Sequence, residues 1–299
     1  MSTTTRFNLD SYLTRLSTRV NQALDKLIPA ETVEPSTIHK AMRYSLFAGG
    51  KRIRPVLCLA ACDAVGGKTA NAMPLACAVE CIHTYSLIHD DLPCMDDDDL
   101  RRGKPTNHKV FGEGIAVLAG DALLTQAFEL IANANPPRRY DIATMVRELA
   151  FAAGSLRLIA GQVQDLENEN RRATLDEVRT THMNKTAALL TAAIRLGAMA
   201  GNATAPQLNR LTKYGQDLGL AFQIIDDVLD ATSTREIMGK SVRADQKNLK
   251  STYASVLGIE KSRALAAELI ADAHKQLAIF DERATPLHAI ADFFLTRKH

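Results

Sequence analysis

This sequence predicts an all-α fold, on three observations. Ala and Leu are abundant while aromatic residues make up only 5% of the chain, with no Trp, and that composition favours helices over sheets. Apolar residues recur at three- and four-residue spacing through most of the chain, the period of a helix with one buried face. Alternating runs of Val, Ile and Thr bounded by turn residues, the mark of strands, are scarce. With 299 residues and 46% hydrophobic content the chain can bury a large core, and residues 1–299 are expected to form a single domain.

A first helix is expected over 7–28, where Leu9, Leu13, Leu16, Val20, Leu24 and Leu27 mark one face. Pro29 and Pro35 bracket a loop, and Ser36 is placed to cap a second helix that ends near Ala48. Gly49 and Gly50 then free the backbone before Lys51, Arg52 and Arg54. Such cations at a helix start can hold an anion together with helix N–H groups, although loop cations are more often simply solvated. Pro55 opens a helix to Val65, ended by Gly66 and Gly67, and another begins near Ala70. Cys58/Cys62 and Cys77/Cys81 are each four apart. They read as buried, reduced packing residues rather than a zinc site, which would use a tighter loop knuckle.

The helix from Ala70 leads into the most informative stretch, with six aspartates between Asp90 and Asp99 behind an apolar run. Two carboxylates about 5 Å apart repel by roughly 3 kcal/mol at an effective dielectric of about 20, so several converging on one point need cations. Mg2+ favours one or two carboxylates plus substrate phosphates, and the Arg101 and Arg102 guanidinium groups suit phosphate oxygens. A solvated acidic turn is the plain alternative. Asp90 and Asp96 are six apart, about 120° out of line on an unbroken helix. Pro93 suggests a two-residue extrusion that would restore the alignment, while Asp97 aligns without one. His83, two turns before Asp90, is either a satisfied core residue or a phosphate ligand.

Residues 103–112 read as a loop, 114–133 as a buried helix containing Asp121, and 139–153 as a further helix. Gln162 and Asp165 share a face at i, i+3; 168–173 is a polar surface loop; one helix over 175–199 carries Lys185 and Thr186. Residues 219–230 repeat the design of the first acidic stretch. Asp226 and Asp230 lie one turn apart, with Asp227 beside them and Gln223 one turn earlier, among Phe222, Ile224, Ile225, Val228 and Leu229. Carboxylates in such a setting need a partner. The two clusters are expected to face each other across a cavity, with metal ions clamping a diphosphate between them. The segment 234–252, with Lys240, Arg243, Lys247 and Lys250, reads as a basic lid over phosphate.

Charge is nearly balanced at +2, so no global field marks a nucleic-acid partner. Residues 1–10 lack the apolar core of a secretory signal, and Asp121, Glu129 and Arg195 interrupt the longest apolar runs. No membrane span is therefore expected, and a cytoplasmic location is.

The motifs together resemble the trans-isoprenyl diphosphate synthases of the bacterial farnesyl diphosphate synthase type, over nearly the whole chain. The residues that carry the resemblance are Asp90-Asp91-x4-Asp96, Asp226-Asp227-x-x-Asp230, Gly-Gly-Lys-Arg-Ile-Arg at 49–54, Gln-x-x-Asp at 162–165, Lys185-Thr186, Phe222-Gln223, Gly239-Lys240 and Lys250-Ser-Thr-Tyr253. The resemblance implies a helical bundle around a deep central cavity, usually a homodimer. Its activity would be head-to-tail condensation of isopentenyl diphosphate with dimethylallyl and geranyl diphosphate to give farnesyl diphosphate. It implies three Mg2+ ions held directly by Asp90, Asp96 and Asp226, with Asp91, Asp227 and Asp230 in support. Arg101, Lys185 and Lys240 would contact the allylic diphosphate, and Lys51, Arg54, His83 and Arg102 the diphosphate of isopentenyl diphosphate. Gly50, Thr186, Gln223 and Lys250 would complete the substrate sites.

The family controls product length at the fifth and fourth positions before the first aspartate, here Tyr85 and Ser86. An aromatic there, with the two-residue insertion, looks like the C15 producers. Rival readings are a geranylgeranyl or geranyl diphosphate synthase, a class I terpene cyclase, a non-catalytic prenyltransferase partner subunit, or an acidic Ca2+-binding protein. A cyclase would not need Lys51, Arg54 and His83, and a Ca2+-binding protein would lack the basic lid.

Overall fold

The computed structural model describes residues 7–169, 171–237 and 251–297. α1 (Leu9–Leu27) starts where the Asn8 side chain accepts the Ser11 N–H at 2.9 Å, and it buries Leu16, Val20 and Leu24, the stripe its periodicity predicts. α2 (Ser36–Leu46) differs from expectation at its start. Ser36 is already helical, Pro35 occupies the cap position, and the Glu34 carboxylate takes the Ser36 N–H at 2.9 Å. α3 (Ile53–Ala64) and α4 (Thr69–Asp90) follow.

The segment expected as loop holds an antiparallel hairpin, β1 (Leu100–Arg101) with β2 (Lys104–Pro105), and the short α5 (Asn107–Phe111). Then come α6 (Glu113–Ala132), α7 (Ile142–Ala153) and α8 (Leu158–Glu167). The single helix expected over 175–199 is interrupted: α9 (Leu175–His182) passes through a π-helical turn, Met183–Ala187, into α10 (Ala188–Ala200). Thr174 and Glu177 close a reciprocal capping box at the start of α9. α11 (Ala205–Ile237), α12 (Tyr253–Leu257), α13 (Ile259–Gln276) and α14 (Thr285–Thr296) complete the all-α fold that the composition predicts.

The chain separates into two compact units. One runs to Arg147 and includes Leu196–Ala203; the other comprises Glu148–Arg195 and the chain from Thr204. In the first, α4 packs on α3 and α6 over a core that includes Leu57, Leu75, Ile82, Ile88 and Leu123. Cys58, Cys62, Cys77 and Cys81 are buried and reduced, and burial raises all four thiol pKa values, as packing residues require. Gly197 runs directly along α3, where a Cβ would overlap the Cys58 carbonyl.

Asp121 and Glu129 do not disqualify α6 as a span: it is the one described helix long and apolar enough to cross a membrane by length and composition. It also behaves as a core helix, burying Ala116, Ala119, Leu123, Ala127 and Ile131 and packing against α4, while Val117 and Leu118 are exposed. The helix is therefore one-sided rather than buried all round.

In the second unit α11 packs on α13, α14 and the π-helical turn. Tyr214 is fully buried and its hydroxyl donates to the Leu287 carbonyl at 2.8 Å. Gly219 lets α11 approach the π-helical turn, where a Cβ would stand 2.6 Å from Cα of Ala187. Half-buried on the same helix, Asp217 is pushed up to about 6, first by burial and then by the Asp272 charge. Its folded pKa lies above its unfolded one, so the folded state holds the proton more tightly. Stability from this group is complete below about pH 4 and falls as pH rises to about 6. Asp217→Asn should therefore raise Tm by about 2 °C at neutral pH and leave it unchanged near pH 4. Equal shifts at both pH values in calorimetry would show that the carboxylate charge is not responsible.

Candidate active site

In the first unit the site begins where α2 ends. Gly49 and Gly50 take φ of +98° and +114°, a region side chains rarely adopt. A Cβ on Gly50 would come within 2.5 Å of the Arg102 guanidinium, and Arg102 donates to the Gly49 carbonyl. Arg52 turns inward from a left-handed backbone (φ +52°). Its guanidinium is buried against Glu80 at 2.6 Å and also donates to Asn21 at 2.9 Å and to the Leu46 carbonyl. One of the three cations in the 49–54 motif is thus structural.

Lys51 is exposed, and Arg54 Nη1 lies 3.4 Å from His83 Nε2. Burial, then the charges of Arg54, Arg102, Arg52 and Arg101, hold His83 well below its ordinary pKa, so its ring is neutral. A neutral ring among arginines leaves a region of positive potential suited to an anion.

The acidic stretch loops back on itself. α4 stops at Asp90, and the Asp96 N–H donates to the Asp90 carbonyl at 2.9 Å, with residues 91–95 between them. The backbone therefore sets Asp96 next to Asp90. The loop is larger than the two-residue extrusion expected, because the helix ends instead of continuing past Pro93. Asp97 takes a left-handed φ of +51°, and its N–H donates to the Leu92 carbonyl at 3.1 Å.

Asp91 is buried and takes Arg101 in a fork, Nε at 2.7 and 2.9 Å from its two oxygens and Nη2 at 2.6 Å. Burial still raises the Asp91 pKa against the pull of Arg101. Arg101, expected to contact the allylic diphosphate, is here paired within the protein. Tyr85 is only 7% exposed, its ring edge-on to His89 at 5.7 Å, and the hydroxyl of half-buried Ser86 donates to the His83 carbonyl at 2.9 Å.

In the second unit the π-helical turn sits at Lys185 and Thr186, the kind of local distortion that recurs at functional sites. Gly161 of α8 allows it: a Cβ there would overlap the Lys185 backbone. Lys185 Nζ lies 2.7 Å from Asp165. Thr186 donates to Gln223 Oε1 at 2.9 Å, Gln223 Nε2 donates to Asp227 Oδ1 at 3.3 Å, and the Tyr253 N–H donates to Asp227 Oδ2 at 2.8 Å.

Burial pushes Asp227 up to about 7; these hydrogen bonds oppose the shift, and the charges of Asp226 and Asp230 add to it. Half-buried Asp226 pairs with Arg297 of α14 at 2.6 Å, and Asp230 is exposed. His182, pulled down to about 4 by burial, is 3.6 Å from Asp227 and tilts over the Tyr253 ring at 5.4 Å. Gln162 is half-buried, but its neighbour Gln164 takes the hydrogen bond to Asn184, at 3.2 Å.

Lys240 and Lys250, with Arg243 and Lys247, lie outside the described residues. Sequence reasoning missed Glu80, Gln164, His182 and Arg297. His182 stands one helical turn before Lys185 and could have been flagged by that spacing; Arg297 carries no local signal, because α14 brings it to Asp226.

The donor set is carboxylate oxygen throughout, the chemistry of a hard cation. Among the described residues no group of three or more His, Cys, Asp or Glu forms a ready metal cage. Mg2+ is a hard cation that takes one or two carboxylates and completes its shell with water and substrate phosphates.

The sequence profile described as Polyprenyl synthetase matches residues 35–283. A chloroplastic geranylgeranyl pyrophosphate synthase of Capsicum annuum is 51% identical over 296 residues, covering 97% of this chain and 79% of the relative. The chloroplastic heterodimeric geranylgeranyl pyrophosphate synthase large subunit 1 of Arabidopsis thaliana is 50% identical over 300 residues, covering 98% and 80%. Among solved structures, an FPP/GFPP synthase from Zymomonas mobilis superposes with a TM-score of 0.84 at 35% identity, covering 97% of this chain and 99% of that one.

These findings support the geranylgeranyl alternative to the farnesyl expectation and correct the expected location. Both relatives are named for geranylgeranyl diphosphate, and the solved structure for FPP and GFPP. The cytoplasmic location is overturned by relatives named as chloroplastic; the polarity of residues 1–10 bears on secretion and says nothing of organelles.

The Arg52–Glu80 pair yields a stability prediction. Glu80→Ala leaves a guanidinium buried without its counter-charge and should cost roughly 3 kcal/mol in urea denaturation, most of it recovered in the Arg52→Met, Glu80→Leu double variant. A loss below about 1 kcal/mol would mean that the pair does not anchor the glycine turn.

Proposed function

The chain belongs to the polyprenyl synthetase family, and on that basis we propose that this prenyltransferase condenses isopentenyl diphosphate head-to-tail with allylic diphosphates up to geranylgeranyl diphosphate. The observation that carries the product length is the half-identity, over nearly the whole chain, to relatives named for that C20 product. A second reading, farnesyl diphosphate as the end product, is favoured by Tyr85, a buried aromatic where the resemblance puts the floor of the product site.

In this proposal Asp90, Asp96 and Asp226 hold Mg2+, with Asp91, Asp227 and Asp230 orienting or supporting them. Bound Mg2+ supplies positive charge that stabilises a departing diphosphate. Arg101, Lys185 and Lys240 hold the allylic diphosphate. Lys51, Arg54, His83 and Arg102 hold that of isopentenyl diphosphate, with Gly50, Thr186, Gln223 and Lys250 completing the sites. Negative charge on the leaving group develops as the allylic C–O bond ionises, and cations fixed in advance act where that charge appears. The isopentenyl double bond then attacks the allylic cation, and the departing diphosphate takes the released proton.

Purified chain incubated with Mg2+, dimethylallyl and isopentenyl diphosphates should yield geranylgeraniol after phosphatase treatment. Farnesol as the end product would select the second reading, and no condensation would refute both. Asp90→Ala and Asp226→Ala should each lower turnover by about three orders of magnitude; near-wild-type rates in either would remove that cluster from the reaction. Tyr85→Ala should lengthen the product, and an unchanged length would show that Tyr85 is not the floor. His83 should titrate at higher pH, by NMR, once isopentenyl diphosphate is bound, because the anion offsets the neighbouring arginines. An unmoved His83 would take it out of that site.

A further inference from the structure

Arg297 is not explained by substrate binding, and its surroundings set it apart. It follows the last turn of α14, with its side chain 8% exposed. The guanidinium lies over the Phe222 ring at 4.0 Å from the centroid, Nη2 donates to the Phe222 carbonyl at 2.9 Å, and the same nitrogen reaches Asp226 at 2.6 Å. Its Nε is buried with no hydrogen-bond partner. A cation placed purely for structure is expected to satisfy its donors, as Arg52 does across three acceptors, since an unmade buried hydrogen bond is costly. Arg297 instead has its charge met while one donor is left idle. That arrangement favours the ion pair without making it permanent.

We propose that Arg297 is the resident counter-cation of the second acidic cluster, holding Asp226 when no divalent ion is present and giving it up when the ion arrives. The inference rests on the reading above only in taking Asp226 as a divalent-ion ligand. Asp226 and Asp227 are adjacent on α11, with Asp230 one turn on. A guanidinium beside Asp226 offsets this like-charge crowding. The same guanidinium competes with a metal for that carboxylate, so its removal should tighten metal binding while lowering the stability of the metal-free protein. Arg297 is thus a positioning residue: it sets the availability of Asp226 and touches no reacting atom. The contact with the Phe222 ring is already made alongside the ion pair, so the cation keeps it when Asp226 is given up.

The test uses the full chain without substrate and Mn2+ alone as probe, with free Mn2+ read by EPR. Arg297→Met should bind Mn2+ about fivefold more tightly than wild type, and Arg297→Lys should lie close to wild type. Adding Asp226→Asn to Arg297→Met should abolish the gain. In EDTA the Met variant should melt below wild type and regain the difference on adding Mg2+. Equal Mn2+ affinity in the Met variant and wild type overturns the proposal, as does a gain that survives Asp226→Asn.

Wild-type protein supplies an independent check should the Met variant fail to fold. The Arg297 Nε–H resonance should shift on Mg2+ saturation, and an unmoved resonance also overturns the proposal. Prenyl transfer is assayed on the same wild-type sample. An inactive wild type with altered Mn2+ affinity in the variant sinks the proposed reaction alone; an active wild type with unaltered affinity sinks the counter-cation alone.

Discussion

Carboxylates carried on apolar helices have to be compensated, and that constraint organises this molecule. A charge withdrawn from water is costly unless a counter-charge or a set of hydrogen bonds meets it. The protein meets it with its own cations: Arg52 for Glu80, Arg101 for Asp91, Lys185 for Asp165 and Arg297 for Asp226. Of these, Arg52 and Glu80 are both almost fully buried, and Arg52 is held by Asn21 and the Leu46 carbonyl as well. The others keep one or both partners within reach of solvent. A buried anchor and a set of half-exposed pairs are different uses of the same interaction.

Unusual backbone positions several of the site's side chains. Gly49 and Gly50 let the chain turn tightly enough for Arg102 to close on it, and the π-helical turn aims Lys185 and Thr186 from consecutive positions. From Thr186 a chain of hydrogen bonds runs through Gln223 to Asp227, whose other oxygen is met by the Tyr253 N–H. Asp227 is thereby oriented from both sides at a burial that pushes its pKa up to about 7. His182 and His83 are both held neutral, so neither adds charge to its surroundings unless an anion changes the balance.

Much of this was legible in the sequence. The Leu16, Val20 and Leu24 stripe of α1, the four packing cysteines and the two aspartate clusters follow from period and composition, because burial of apolar faces dictates them. The looped return of Asp96 to Asp90 was signalled by Pro93, though not its extent, since six-residue spacing cannot say whether a helix bulges or stops. The inward turn of Arg52 was hidden: three cations in one motif look alike until a left-handed residue and a buried Glu80 select one of them. Arg297 was hidden for a different reason. Its partner lies 71 residues earlier in the chain, and only the packing of α14 on α11 brings them together. Location was misread, because the polarity of residues 1–10 bears only on secretion, and for product length the single aromatic Tyr85 points to C15 while resemblance over the whole chain supports the C20 alternative.

The proposed reaction depends on divalent ions to hold the allylic diphosphate at carboxylates that would otherwise repel it. Calorimetric titration of inorganic pyrophosphate into the purified chain, with Mg2+ and with EDTA, tests it most directly. Saturable binding that is clearly tighter with Mg2+, with only the site of Lys51, Arg54, His83 and Arg102 left in EDTA, is the result this account predicts. Binding of equal strength in both would mean that the basic residues alone hold the anion and that the aspartates serve some other purpose.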